Sequence, residues 1–351
     1  MELTVHTSTP YKIVIERGCL SRTGEFAAEL FPAGTRAVVV TDTNIAPLYA
    51  SKISESLKQA GFKPKVFKFE AGEKSKCMPT IENMYGAFAR AGITRSDFIV
   101  ALGGGVTGDM AGFAAATWLR GVKFIQIPTS LLAQIDSSIG GKTAIDISAG
   151  KNLVGAFHQP ALVLIDANTL ATLPKYFFAD GMGEAIKHGC IKSRSLFDRI
   201  KGKDICSDMD GFIAENLKIK RAAVEKDEFD HGERMLLNFG HTFGHALEKL
   251  HGYGVLSHGR AVGIGMVMMA KCGEKAGLTK AGTSDEIAQV LSKYGLPTSD
   301  STDIDKIVDT AMLDKKARGS AINLVMLKQI GESFLYPADR KKLAELTEAL
   351  K

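Results

Sequence analysis

Short apolar runs alternate with amphipathic segments through the first half of the chain. Tyr11–Ile15, Arg36–Thr41, Lys65–Phe69, Phe98–Leu102, Lys123–Ile127 and Leu162–Ile165 are rich in Val, Ile, Leu and Phe and are of strand length. Between them, Pro47–Ala60, Thr80–Ala91 and Asp109–Trp118 carry apolar residues at helical spacing, and Gly61 and Gly92 close the first two. Apolar strands separated by helices predict a mostly parallel sheet covered on both faces. After about residue 170 helical periodicity takes over, in Gly183–Ile191, Met209–Val224, Phe239–Leu250, Ala261–Ala276 and Ser284–Lys293. Ala321–Leu327 and Ser333–Tyr336 read as one late hairpin. The expected fold is a Rossmann-like α/β N-terminal domain followed by a mainly α-helical C-terminal domain. The boundary falls within Asp166–Pro174, giving domains 1–170 and 171–351.

Composition narrows the class. With 45% hydrophobic and 24% charged residues, the 351-residue chain has the make-up of a folded protein of about two domains. The net charge of +5 is mild and dispersed, which argues against a nucleic-acid-binding arm yet suits a small anionic substrate. Five cysteines, an odd number with no Cys-x-x-Cys pair, argue against a disulfide framework or a zinc ribbon. Met1-Glu-Leu-Thr4 does not open a secretory signal, and the most apolar run, Ala261–Ala270, is too short to span a bilayer. A soluble protein of a reducing compartment, the cytoplasm, is expected.

Two clusters carry chemistry. Phe98–Leu102 runs into Gly103-Gly-Gly-Val-Thr-Gly-Asp109, which satisfies G-x-G-x-x-G between a strand and a helix. Such glycines let the backbone approach a pyrophosphate at a helix N-terminus. The loop follows a late strand, however, and no acid ends the next strand. The acid after an early strand is Asp42, so dinucleotide binding is expected in a variant topology. In the second half, Asn238, His241, His245 and Glu248 step by three, four and three, which places them on one face of a helix. His258 follows, and Glu184, Lys187 and His188 lie upstream. Three histidines and a glutamate suffice for a zinc site with an open position, and spacing alone pairs His241 with His245. Glu184 and His188, four apart, form another possible pair, with His188 better read as a packing or surface residue. Arg120-Gly121, Gly141-Lys142, Gly150-Lys151-Asn152 and Lys315-Lys316 set cations beside glycine, as anion recognition requires.

These strings resemble the 3-dehydroquinate synthase family of sugar-phosphate cyclases. The resemblance rests on Gly103–Phe113, Leu119–Gly121, Pro128–Lys142, Gly150–Phe157, Leu236–Ala246 and Asp314–Lys316. It implies an NAD-dependent lyase of the shikimate pathway, which leads to the aromatic amino acids, with one divalent metal, zinc or cobalt. The metal ligands would be Glu184, His241 and His258, which transfers His245 from metal binding to proton transfer. NAD contacts would be Asp42, Asn44, Glu73, Lys76, Gly104, Gly105, Val106, Asp109, Thr129, Ser130, Lys151, Thr169, Leu170 and Thr172. The substrate would meet Asp136, Lys142, Asn152, Lys187, Lys220, Arg234, Asn238 and Lys316. Arg120 would reach the site of a second subunit, implying a homodimer. Asp230 stands where the family commonly has a Glu credited with accepting a proton.

The family's reaction converts 3-deoxy-D-arabino-heptulosonate 7-phosphate to 3-dehydroquinate and phosphate. Transient oxidation at C5 acidifies C6–H and lets phosphate leave. Reduction, ring opening and an intramolecular aldol step follow. Another cyclase, such as an aminodehydroquinate synthase, shares the fold and cofactors, and a metal-dependent polyol dehydrogenase has a similar two-domain build. Arg234, Asn238, His245 and Asp314-Lys-Lys316 together favour a carboxylate-bearing substrate and so dehydroquinate formation.

Overall fold

The computed structural model describes residues 1–202, 204–252, 254–313 and 321–351. They form two compact units, Met1–Pro174 and Lys175–Lys351. In the first, the elements are β1 (Glu2–Val5), β2 (Tyr11–Ile15), α1 (Thr23–Ala28), β3 (Arg36–Asp42), α2 (Ser51–Gln59), β4 (Lys63–Phe69), α3 (Met78–Ala91), β5 (Phe98–Gly103), α4 (Gly105–Thr117), β6 (Lys123–Pro128), β7 (Lys142–Ile147), β8 (Gly150–Phe157) and β9 (Leu162–Ile165).

Seven strands pair in the order β1-β2-β9-β6-β5-β3-β4. All neighbours are parallel except β1 and β2. Strand alternation sorts the core onto two faces. Val39, Val100, Leu102, Ile125 and Ile127 pack with Phe26, Ile53 and Leu57 of α1 and α2. Val38, Val40, Ile99, Ala101 and Phe124 pack with residues of α3 and α4. β3 lies between β4 and β5, so successive connections leave it in opposite directions. That is the switch point at which open α/β sheets leave a crevice beyond the strands' carboxyl ends.

The structure differs from the sequence expectation in places. α4 begins at Gly105, four residues earlier than expected, so Gly105 and Gly108 are helical. β7 and β8, an antiparallel hairpin beside the main sheet, were not expected, because polar residues and Gly150 interrupt the apolar pattern there. β1 was also unforeseen.

The second unit contains α5 (Lys175–Lys192), α6 (Arg194–Gly202), α7 (Met209–Lys226), α8 (His241–His251), α9 (His258–Lys275), α10 (Thr283–Lys293), α11 (Ile304–Leu313), β10 (Ala321–Gln329), β11 (Glu332–Asp339) and α12 (Arg340–Thr347). α9 is buried on nearly every side, from Gly259 to Gly273, and packs against α5, α8 and α10. A helix that is apolar all round belongs at a core, and this one is the unit's centre. β10 and β11 form the expected late hairpin. The stretch read as one helix from Phe239 is corrected: Gly240 adopts φ 80°, and Asn238 ends a separate 3-10 turn, Glu233–Asn238. Asn238 therefore does not share the helix of His241 and His245. Among the described residues no helix is long and apolar enough to cross a membrane.

Candidate functional site

In the first unit, β3, β4, β5, β6 and β9 are parallel, so the loops at their carboxyl ends follow one edge of the sheet. Of the expected NAD residues, Asp42 ends β3, and Asn44, Glu73, Lys76, Gly104, Gly105, Val106, Asp109, Thr129, Ser130, Thr169, Leu170 and Thr172 lie in segments following these strands. Asp42 Oδ1 accepts from the N–H of Asn44 (2.9 Å) and Ile45 (3.0 Å), and Oδ2 accepts from Thr107 Oγ1 (3.3 Å). This ties the end of β3 to the glycine loop, because β3 is the neighbour of β5, although distant in sequence. Gly104 caps α4 with no side-chain partner, leaving first-turn N–H groups for an anion. A Cβ at Gly108 would lie 2.9 Å from Gln126 Oε1, and one at Gly112 2.5 Å from Thr143 Cγ2. Those two glycines thus serve close packing of α4 against β6 and β7.

Gln134 fastens two further loops by donating to Thr169 Oγ1 (2.9 Å), Pro128 O and Asp166 O (both 3.2 Å). Thr172 Oγ1 shares a hydrogen bond with Tyr49 (2.6 Å). Ser130 Oγ accepts from Ala133 N–H (3.3 Å), and Thr129 N–H donates to Gly103 O (2.9 Å).

Beside α4, buried Lys76 donates to Asp109 Oδ2 (2.6 Å) and Asn152 Oδ1 (2.5 Å). Burial would lower the Lys76 pKa, but the Asp109 charge prevails and raises it. Asp146 on β7 accepts from Asn152 N–H (2.8 Å) and holds that residue at φ 54°. Lys151 Nζ lies 3.5 Å from Glu73 Oε1. Glu73, Lys76, Asp109, Lys151 and Asn152, expected separately, thus meet at one place. Asp136 is buried, whereas Lys142, at the start of β7, and Arg120 are exposed.

In the second unit, α5, α8 and α9 bring Glu184, His241 and His258 together. Glu184 Oε1 lies 3.7 Å from His241 Nε2 and 3.4 Å from His258 Nε2. A cation about 2.0–2.2 Å from tetrahedral donors needs them about 3.3–3.6 Å apart. Oε1 is buried and takes no hydrogen bond, which suits an oxygen reserved for a cation. Oε2 accepts from Lys187 Nζ. Each histidine is engaged through Nδ1, which leaves Nε2 facing inward: His241 donates to Phe239 O (3.2 Å) and His258 to Glu248 Oε2 (3.4 Å). Burial, then the Lys187 charge, hold His241 well below its ordinary pKa, in the neutral form that ligates. Burial also lowers His258, but Glu184 and Glu248 outweigh it and push it up to about 10. The carboxylates therefore demand a positive charge here, and a divalent cation would supply it in place of the proton. The donor set fits such an ion.

The meeting of three helices depends on glycine. A Cβ on Gly183 would stand 2.6 Å from Gly259 O, and one on Gly265 2.0 Å from Gly240 O. These contacts bring α5 and α8 backbone-close to α9. Asp180, one turn before Glu184, accepts from Ser257 Oγ (2.6 Å) and Arg260 N–H (3.2 Å), securing the first turn of α9 on either side of His258.

His245 is exposed, its ring centroid 5.3 Å from that of His241 and 5.8 Å from that of His258. Lys187, Lys220 and Arg234 are buried, and Asn238 is exposed. Arg234 Nη1 donates to Glu228 O (2.5 Å). Asp227 accepts from the N–H groups of His231 (2.9 Å), Gly232 (2.7 Å) and Arg234 (3.1 Å), and so shapes the loop in which Asp230 holds φ 63°. His188 is fully buried and donates from Nδ1 to Asn216 Oδ1 (3.0 Å), a packing role rather than a surface one. Lys316 lies outside the described residues. Sequence reasoning missed Asp146, Gln134, Asp180 and Asp227. Only Asp180 left a legible trace, as a second carboxylate one helical turn from Glu184.

The family model described as the N-terminal part of 3-dehydroquinate synthase matches residues 66–180, and that of the C-terminal part residues 181–317. The chain is 46% identical over 337 residues to a 3-dehydroquinate synthase of Clostridium acetobutylicum, covering 95% of this chain and 94% of that one. It is 44% identical to one of Streptococcus pneumoniae, covering 96% of each. Among solved structures, a 2-deoxy-scyllo-inosose synthase complexed with carbaglucose-6-phosphate, NAD+ and Co2+ aligns with TM-score 0.86 at 23% identity over 99% of both chains. A 2-epi-5-epi-valiolone synthase from Streptomyces hygroscopicus, with NAD+ and Zn2+ bound, aligns with TM-score 0.87 at 23% identity over 99% of this chain and 98% of that one. These two likenesses establish a common fold.

Proposed function

The chain belongs to the 3-dehydroquinate synthase family, and from that premise we propose how its residues convert 3-deoxy-D-arabino-heptulosonate 7-phosphate to 3-dehydroquinate and phosphate. The observation that carries the reading is the Glu184, His241 and His258 set, with an orphaned carboxylate oxygen facing two Nε2 atoms. Those three would hold one divalent cation, zinc or cobalt. When bound, the cation lowers the pKa of the hydroxyls it meets and polarises a ketone.

The loops after β3, β5, β6 and β9 would hold NAD, with its pyrophosphate at the uncapped N-terminus of α4. Bound there, NAD would supply a hydride acceptor and donor for C5, with no net redox change. Asp42 fixes the backbone at Asn44 and Ile45, and Lys76 fixes Asp109 and Asn152 in one arrangement.

The substrate's phosphate and carboxylate call for fixed cations, and Lys187, Lys220 and Arg234 of the second unit and Lys142 of the first are the residues assigned to them. Lys316 is assigned to the same task by resemblance. Arg234 is anchored at both its backbone N–H and its guanidinium, so little of its freedom remains to be lost on binding. Burial, and after it the Lys187 charge, hold the His241 pKa below its ordinary value. His245, exposed and next to the ligand histidines, moves protons to and from the substrate's oxygens. Asp136, Asn152 and Asn238 supply hydrogen bonds to the substrate. Arg120 serves the site of a second copy in a homodimer, a reading supported by its exposure and its unusual backbone at φ 67°. The cytoplasm is the compartment assigned to this activity.

Phosphate release from the heptulosonate phosphate tests the function. Release is expected with NAD and metal present, without accumulation of NADH, and should stop in protein stripped of either. Net NADH formation, or phosphate release indifferent to both cofactors, would refute it.

A further inference from the structure

We infer that Glu248 is a positioning residue for the metal-ligating imidazole of His258, fixing its tautomer and its direction through Nδ1. The inference rests on the reading that Glu184, His241 and His258 hold a cation. It gives a definite task to a residue that spacing placed on the helix face of His241 and His245 and to which the resemblance gave no role.

Asp180 secures the main chain around His258 by accepting from Ser257 Oγ and Arg260 N–H. The close approach of Gly183 and Gly259 sets that turn of α9 against α5. These contacts fix the Cα of His258 and leave its ring free to rotate. Of the ring nitrogens, Nε2 faces Glu184 Oε1 at 3.4 Å and Nδ1 faces Glu248 Oε2 at 3.4 Å. The two carboxylates lie on opposite sides of the ring and belong to different helices, α5 and α8. A carboxylate is an acceptor, so Glu248 selects the tautomer with hydrogen on Nδ1 and a lone pair on Nε2. That is the form a cation at Glu184 requires.

Glu248 is also buried, and a carboxylate in such a place is costly unless it is used. His241 obtains the same service from the Phe239 carbonyl, so the two imidazoles are held alike by different groups. The helix spacing that placed Glu248 on the face of His241 and His245 reflects this: all three residues belong to α8, and His245 and Glu248 both lie beside His258.

The test measures Co2+ and Zn2+ affinity by chelator competition, together with the visible spectrum of the Co2+-loaded protein. Neither readout depends on turnover. Glu248→Leu removes the acceptor and is expected to weaken metal binding by about 10–100-fold and to alter the cobalt band. Glu248→Asp withdraws the carboxylate by one methylene and is expected to show a loss in the same direction. It serves as the test should the leucine variant not fold. Glu248→Gln keeps a carbonyl oxygen at the same reach and should hold metal within about threefold of wild type. Wild-type affinity and spectrum in a folded Leu or Asp variant would overturn the inference, as would a loss with Gln equal to that with Leu. Glu184→Ala separates the two readings. If it still binds metal as wild type does, the cation site itself is wrong. If it loses metal while the Glu248 variants do not, the inference about Glu248 alone fails.

Discussion

At the scale of single residues, the most informative comparison is between two histidines one helical turn apart. Spacing pairs His241 with His245 as ligands. The structure instead faces His241 Nε2 and His258 Nε2 toward Glu184 Oε1 and leaves His245 at the exposed side of the group. His241→Ala should lose metal and activity together. His245→Ala should keep stoichiometric metal and turn over about 10²–10⁴-fold more slowly, as loss of a general acid–base group would. Metal analysis and kcat on the same preparations check this, and loss of metal from His245→Ala equal to that from His241→Ala would return the assignment to simple spacing. The residue types of this centre were legible because histidines and acids on a helix amid glycines have few structural uses. What composition and spacing could not give was the role of each group. An orphaned oxygen on Glu184, or the Nδ1 partner of a histidine, depends on atoms that distant segments bring together.

At the scale of elements, hydrophobic periodicity was a sound guide to the parallel sheet and the helical second unit, and it failed where the backbone turns without changing the side-chain pattern. Asn238, His241 and His245 keep a helical period in sequence, yet Gly240 at φ 80° separates the first from the other two. The period reports which residues are polar, not which φ they adopt. The β7–β8 hairpin escaped for the opposite reason: its exposed residues and Gly150 mask the strand alternation. Glycine also decides how near the ligand-bearing helices come. In Gly265→Ala a Cβ would meet Gly240 O at 2.0 Å and Gly244 N at 2.9 Å, so α8 must move away from α9. A stability loss of about 1–3 kcal/mol is expected from such overpacking. Metal affinity should weaken with it, because His241 and His258 ride on the two separated helices. Gly263→Ala on the same helix meets first a leucine methyl, Leu291 Cδ2 at 3.2 Å, which can shift, and should do little to either quantity. Denaturant titration and chelator competition on both variants test this, and equal behaviour of the two would discount the role given to backbone proximity.

At the scale of the whole molecule, the remaining question is whether one chain suffices for a working site. Leu119, Arg120 and Gly121 take φ values of 50°, 67° and 120° in succession. Left-handed backbone at two non-glycine residues costs about 1–3 kcal/mol each and persists where surrounding contacts hold it, often at functional positions. Within its own unit the bend is tied down by Arg95 Nε donating to Leu119 O (3.1 Å) and Gly121 N–H donating to Trp118 O (2.9 Å). The exposed Arg120 guanidinium is what the bend presents. If that cation completes the site of a second copy, a chain lacking Arg120 fails its neighbour, whereas a chain lacking Lys142 fails itself. Arg120→Ala and Lys142→Ala should each be inactive alone. A heterodimer of the two has one site with both cations and one with neither. Random pairing of equal amounts makes half the dimers mixed, so recovery should approach about a quarter of wild-type activity. Activity returning with the rate of subunit exchange, followed by mass spectrometry of differently tagged chains, would establish the shared site. Mixed dimers that form and remain inactive would show that Arg120 acts within its own chain or not at all.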